Sequence, residues 1–129
     1  MSAVTPHAKG HEGLGPLASR YVEVESLPWQ PTRFPGIEIK VLLKDEASGL
    51  LTALFRWAPG ARLPLHEHVE IEQSYVLEGS FRDQQGVCRA GDYVWRPAGS
   101  RHEAWSEEGC LLLAFFLKPN RFFDQEKPA

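Results

Sequence analysis

Two histidines one residue apart, His66 and His68, are followed by a carboxylate at Glu72 within the stretch GARLPLHEHVEIEQSYVLEG, Gly60 to Gly79. On a β-strand, side chains at i and i+2 point to the same face, about 7 Å apart at the backbone. Two imidazoles so placed can converge on one metal ion, whereas on a helix they would point to nearly opposite sides. Leu63-Pro64-Leu65 ahead of the pair argues that the stretch is extended, because Pro64 biases its predecessor away from helix. The spacing also differs from the zinc-protease helix, whose histidines stand at i and i+4 with a glutamate between them. A further imidazole, His102, follows a segment punctuated by Gly91, Pro97 and Gly99. On its own His102 reads as a structural histidine bonded to backbone.

Three carboxylates lie close to the histidine pair. Glu67 sits between them and should face away. Glu70 has inward parity only if the strand runs straight through Val69, where a bend is expected. Glu72 starts the next strand. Three neutral imidazoles and one carboxylate would leave a divalent ion with a site charge of about +1. Nitrogen and carboxylate donors suit Fe(II), Mn(II), Co(II), Ni(II) or Zn(II) without selecting among them. Four protein ligands on an octahedral ion leave two positions, enough for a chelating substrate or for one substrate atom and dioxygen. The metal would act as a Lewis acid towards an enolate or activate a bound water.

The residues Gly60, His66, His68, Glu72 and Gly79, and then Gly91, Pro97, Gly99 and His102, resemble the two motifs of the cupin superfamily in order and spacing. The resemblance implies a double-stranded β-helix, the jelly-roll-like cupin barrel. It implies His66, His68, Glu72 and His102 as ligands of one divalent ion. It also favours a homodimer. The asparagine that often ends the second motif is replaced by Ser106, which is not a ligand position. LEGSFRDQQG and PAGSRHEAWSEEGC are similar to the cupin domain of zinc-binding anti-sigma factors. In those proteins a separate helical domain holds the sigma factor, and this chain has no room for one, so that activity is not expected. FFLKPNRFFD, Phe115 to Asp124, is similar to the end of acetylacetone-cleaving and dihydroxyacetophenone-type dioxygenases, single barrels that use non-haem iron. The acetylacetone-cleaving type relies on three histidines, and Glu72 would add a fourth ligand here.

The elements that must position these residues are short strands. Tyr21 to Glu25 alternates and reads as an edge strand. Pro28, Pro31 and Pro35 hold an extended arm. Strands are expected at Ile37 to Leu43, with Ile37, Ile39, Val41 and Leu43 on one face, and at Leu50 to Trp57, with Leu51, Ala53, Phe55 and Trp57 inward. Others follow at Ile71 to Leu77, Val87 to Arg89, Tyr93 to Arg96, His102 to Ser106 and Leu111 to Leu117. Many short strands with Gly and Pro turns, and almost no helical period, argue an all-β sandwich or barrel. Residues 20–123 form the barrel in this reading, between a flexible tail at 1–19, where His7 and His11 are solvated, and a polar tail at 124–129. Phe55 and Trp57 are the expected pocket wall, and Arg56 and Arg101 are read as solvated.

A chain of 129 residues with 43% hydrophobic composition fits one domain with its own core. Net charge of −3 and a pI near 5.9 suggest no nucleic-acid patch. No apolar run approaches membrane-spanning length, and the first twenty residues lack a secretory apolar segment. Two cysteines, Cys88 and Cys110, are read as free thiols of a cytoplasmic protein. The functional expectation is a non-haem Fe(II) dioxygenase that cleaves a C–C bond in a small diketone or hydroxyketone. Its ligand is small, largely apolar and carries oxygen donors; either it arrives already enolised or Glu70 serves as the base. The alternatives are a non-catalytic Zn(II) sensing or binding module, and an isomerase or hydrolase using the same ion.

Overall fold

In the computed structural model, which describes residues 3–123, the strands are β1 (Ala3–Val4), β2 (Gln30–Pro31), β3 (Ile37–Asp45), β4 (Leu50–Trp57), β5 (Arg62–Glu67), β6 (Glu72–Arg82), β7 (Val87–Arg89), β8 (Tyr93–Arg96), β9 (Arg101–Trp105), β10 (Cys110–Phe116) and β11 (Arg121–Phe122). The polar tail expected at 124–129 lies outside the described residues. All strand pairs are antiparallel, and the path across the sheet runs β1-β3-β4-β10-β6-β9-β5-β11, with β2 on β3 and both β7 and β8 on β6. This is the all-β curled sheet that the short, turn-punctuated strands predict. No helix among the described residues is long and apolar enough to cross a membrane.

β6 belongs to both halves of the curl. Its first half pairs with β8 and β10, and its last three residues pair with β7. Between them Gly79 adopts φ 71°, and the register against β10 shifts at Leu111/Leu112. Inward parity accordingly passes from Glu72, Ser74 and Val76 to Phe81. The expected strand therefore continues well past Leu77: the glycine permits a kink without ending the pairing.

The inner faces of β3, β4, β6 and β10 make the core, with Ile37, Trp57, Val76, Phe81 and Leu112 in one cluster. Cys88 and Cys110 belong to it and are free thiols, as expected. Burial pushes the Cys110 thiol up to about 12.

Two expectations about the N-terminal part change. Tyr21 to Glu25 is not an edge strand; Val24–Ser26 forms a single 3-10 turn instead. The Val24 carbonyl is taken by the Leu27 N–H at 3.1 Å and by Lys40 Nζ at 2.9 Å, so no ladder partner is needed. Lys40 itself is buried although it points outward from β3, because the arm lies over it and Trp29 stacks on both Lys40 and Arg56. The start of the chain is tied to the sheet as well, with Ala3 opposite Asp45 and Val4 opposite Lys44.

Candidate metal centre

The largest fully buried side chains among the described residues are His66, 1% exposed, and His68, 0% exposed. His66 is inward on β5, directly opposite His102 on β9. His68 follows β5 just before the bend at residues 69–70, where the sequence predicts one. Ring centroids are 4.9 Å apart for His66–His68, 4.5 Å for His66–His102 and 4.8 Å for His68–His102. One ring nitrogen from each lies within 4.8 Å of the others, and no other such group occurs among the described residues.

The other face of each ring meets an oxygen. His66 Nδ1 donates to the Pro64 carbonyl at 2.8 Å. His68 Nδ1 is 3.1 Å from Asn120 Oδ1 and 3.1 Å from Glu72 Oε1. His102 Nδ1 stands 3.3 Å from Asp83 Oδ2. With protons on the Nδ1 atoms, the Nε2 atoms present lone pairs, and those of His68 and His102 are buried with no hydrogen-bond partner. Converging lone pairs without a donor are costly unless a cation sits among them. These residues therefore fit a divalent ion, and imidazole nitrogens with fixed outer partners are how such ions are usually held. Burial, the Arg96 guanidinium and the two other histidines push His102 down to about 3. Burial lowers His66 too, against the pull of the Pro64 carbonyl. Neither ring competes for protons near neutrality, so both are ready as ligands.

Glu72, expected as the fourth ligand, is buried at the start of β6 but stands outside the group of three converging nitrogens, against the outer nitrogen of His68. Its Oε1 accepts from Asn120 Nδ2 at 3.2 Å and meets His68 Nδ1, while Oε2 accepts from Ser74 Oγ at 3.3 Å. Burial would raise its pKa, but the interactions with His68 and Asn120 outweigh that and hold it below the usual carboxylate range. Glu70 is exposed on the bend. Glu67 turns away and pairs with Arg101 at 2.9 Å, and Arg56 pairs with Glu38 at 2.9 Å, so both arginines are spent on surface ion pairs. His11 Nε2 bonds the Tyr21 carbonyl at 2.9 Å, and neither it nor His7 joins a metal-binding group.

A cavity of about 270 Å³ opens beside the site. His66, Glu72, His102 and Asn120 give it one polar end; Phe55, Trp57, Phe81, Leu112 and Phe116 give it an apolar body. Phe55 and Trp57 line it as their parity predicts. Phe34 and Phe122 stack at 4.8 Å beside His66 and add a wall that strand parity does not reveal. Asp83 and Asn120 are the other polar residues missed from sequence. Both are reached only through chain returns, although each lies in a stretch whose family likeness is visible. Ser106 takes no part in the site; its Oγ donates to the Ser80 carbonyl at 2.6 Å and ties β9 to β6.

Comparison with known proteins bears on the fold and the family. The acetylacetone dioxygenase of Acinetobacter johnsonii superposes with a TM-score of 0.71 at 21% identity, covering 81% of this chain and 78% of that one, which is a likeness of fold. In the complex of Rhodobacter sphaeroides SigE with the anti-sigma ChrR, the matching chain has a TM-score of 0.61 at 26% identity, covering 72% of this chain and 50% of that one. The anti-sigma-E factor ChrR of Cereibacter sphaeroides is 33% identical over 112 residues, 83% of this chain and 50% of that protein. The chain thus spans about half the length of the curated relative it matches. Residues 17–119 match the family described as the ChrR Cupin-like domain. Motifs, curled sheet and family match together make the chain a member of the ChrR cupin-like family, within the cupin superfamily.

Proposed function

We propose that the chain binds one divalent metal ion through His66, His68 and His102, with Glu72 as the adjacent fourth donor. We further propose that it acts as a non-haem Fe(II) dioxygenase cleaving a C–C bond of a small diketone or hydroxyketone. The observation that carries the reading is the set of three buried rings with one nitrogen from each within 4.8 Å of the others, two of which, His66 and His102, line the polar end of an apolar cavity. The ion would supply Lewis acidity towards the substrate oxygens and, as Fe(II), redox capacity towards dioxygen. The chain's own residues do the rest. Phe55, Trp57 and Phe116 pack against the hydrocarbon body and exclude water. Asn120 and Ser74 hold the Glu72 carboxylate in place. Glu70 stands outside the cavity wall, so the substrate in this proposal enters already enolised. The proposal includes a homodimer, supported by an outward apolar face on β6, β8 and β10.

The second reading, a non-catalytic Zn(II) module, is favoured by the 33% identity to an anti-sigma factor. Protein loaded with iron and offered a panel of β-diketones and hydroxyketones separates the two. Oxygen uptake supports the dioxygenase. Stoichiometric iron with no uptake across the panel removes it, and full zinc occupancy without an exchangeable water then supports the module.

A further inference from the structure

A metal-ligating imidazole is neutral and carries one ring proton, which sits on the nitrogen that does not bind the ion. On Nδ1 the proton leaves Nε2 free to face His66 and His68; on Nε2 it would block that atom. The ring has no hydrogen-bond partner at either nitrogen among the described residues. Asp83 Oδ2 is 3.3 Å from Nδ1, close but without the alignment of a full hydrogen bond. Asp83 is itself fixed from three sides. Its Oδ1 accepts the backbone N–H groups of Gln85 at 2.7 Å and Gly86 at 3.0 Å, and its Oδ2 pairs with the Arg96 guanidinium. Its side chain is buried, as is most of Arg96. A turn closed by two N–H groups explains Oδ1. The Arg96 pair fixes Oδ2, and the oxygen so fixed is the one that faces the outer nitrogen of His102.

We propose that Asp83 is the positioning residue for His102: clamped by the 83–86 turn and by Arg96, its carboxylate holds the ring proton on Nδ1 and keeps Nε2 available as a metal donor. The inference rests on the metal-site reading above. It gives the three histidines three different outer acceptors: a backbone carbonyl, the Asn120–Glu72 pair and Asp83. Outer partners of this kind fix ring tautomer and ligand basicity, and their loss weakens metal binding about 10- to 100-fold.

Asp83→Asn tests it because the amide is nearly isosteric. Its oxygen stays on the two turn N–H groups, so its NH2 faces His102 Nδ1 and also the Arg96 guanidinium, whose ion pair is lost. A donor at Nδ1 drives the ring proton to Nε2, as an Asp-to-Asn exchange does behind a catalytic histidine. The ring tautomer, which loss of the Arg96 pair alone would not move, is therefore the deciding readout. Nitrogen-15 NMR of metal-free protein should show His102 protonated on Nδ1 in the wild type and on Nε2 in Asp83→Asn. Zn(II) titration should show affinity about 10- to 100-fold weaker in the variant. A variant with lower thermal stability but unchanged tautomer and affinity overturns the proposal, because Asp83 then only closes its turn. Should Asp83→Asn fail to fold, the wild-type spectrum decides: a proton on Nε2 overturns it. Wild-type protein that binds no Zn(II) at all sinks the underlying metal reading and this inference with it. That outcome is recognised because His66→Ala then leaves the titration unchanged.

Discussion

Two of the three buried histidines, His66 and His68, are held by hydrogen bonds at Nδ1, and the Asp83 carboxylate faces Nδ1 of the third, His102. A ligand so pre-oriented loses little entropy on binding an ion, and removing it leaves the remaining pair without a third donor. His66→Ala and His102→Ala should each lose most bound metal in plasma emission analysis while far-UV circular dichroism keeps its β signature. Full metal content in either variant removes that residue from the ligand set. The histidine pair was legible because H-x-H is a local signal, read from strand parity alone. Asp83 lies 19 residues before His102, just ahead of the polar stretch Gln84, Gln85 and Gly86, and Asn120 lies 52 residues from His68 along the chain, so nothing local announces either contact. Burial at single residues also has a consequence away from the site. Cys110 ionises near 9 when unfolded and near 12 when folded. Its folded pKa is raised, so the stability it contributes is complete below pH 9 and is lost as pH rises towards 12. The expected slope is about 1.4 kcal/mol per pH unit in that window. Urea titrations at stepped alkaline pH should show this fall, and Cys110→Ala should flatten it. An equal slope in the variant would assign the loss to other groups.

Glycines decide how the strands bend, and three of them separate the causes. Gly79 has φ 71°, and a Cβ there would overlap the Gly109 carbonyl oxygen, with the carbonyl carbon 2.9 Å away. Gly99 has φ 86° but open space around it, and Gly86 has neither positive φ nor a neighbour within 4 Å. Gly86→Ala should be neutral. Gly99→Ala should cost about 1–2 kcal/mol for backbone strain alone. Gly79→Ala should cost clearly more, because strain and overlap add and neither backbone can yield without breaking the β6–β10 ladder. Denaturant midpoints of the three variants check the order; equal losses at Gly79 and Gly99 would mean that the close approach costs nothing. The inward set on β4 was readable from its period of two, whereas β10 is apolar throughout and its sequence does not separate the buried Cys110, Leu112 and Ala114 from the more exposed Leu111, Leu113 and Phe115. The kink at Gly79 was not, since a glycine in an alternating run marks an end and a bend alike. The alternating Tyr21 to Glu25 misled for another reason: period-2 patterning describes a face, not whether a free sheet edge lies beside it.

Across the whole molecule, the proposed site joins segments distant in sequence, and the sheet leaves part of its outer face bare. An ion that binds only the folded state at 100 times its Kd adds about 2.7 kcal/mol, which for a chain of this size is roughly 10 °C in Tm. Zn(II) should raise the melting point by that order and a chelator should reverse it, with no shift in His102→Ala. The bare face supports the other large-scale reading. The N-terminal arm covers the outside of β3 through Val24 and Trp29, but nothing among the described residues covers the outside of β6, β8 and β10. There Trp95, 56% exposed, and Tyr93 stand opposite Gln73 and Tyr75, which in turn stand opposite Phe115 and Leu113. Four partly exposed aromatic rings in adjacent rows, with no charged residue between them, make a patch of the kind that monomers rarely leave in water. In the proposed dimer a second copy would meet it with the same residues through a two-fold axis, and aromatic anchors carry most of the energy of such contacts. Light scattering at micromolar concentration should therefore give twice the 14.5 kDa of one chain. Trp95→Lys with Tyr75→Lys should halve that mass while leaving β content intact, because both side chains point away from the core. A wild-type protein that stays at one chain up to hundreds of micromolar would refute the dimer, and the patch would then need another partner to cover it.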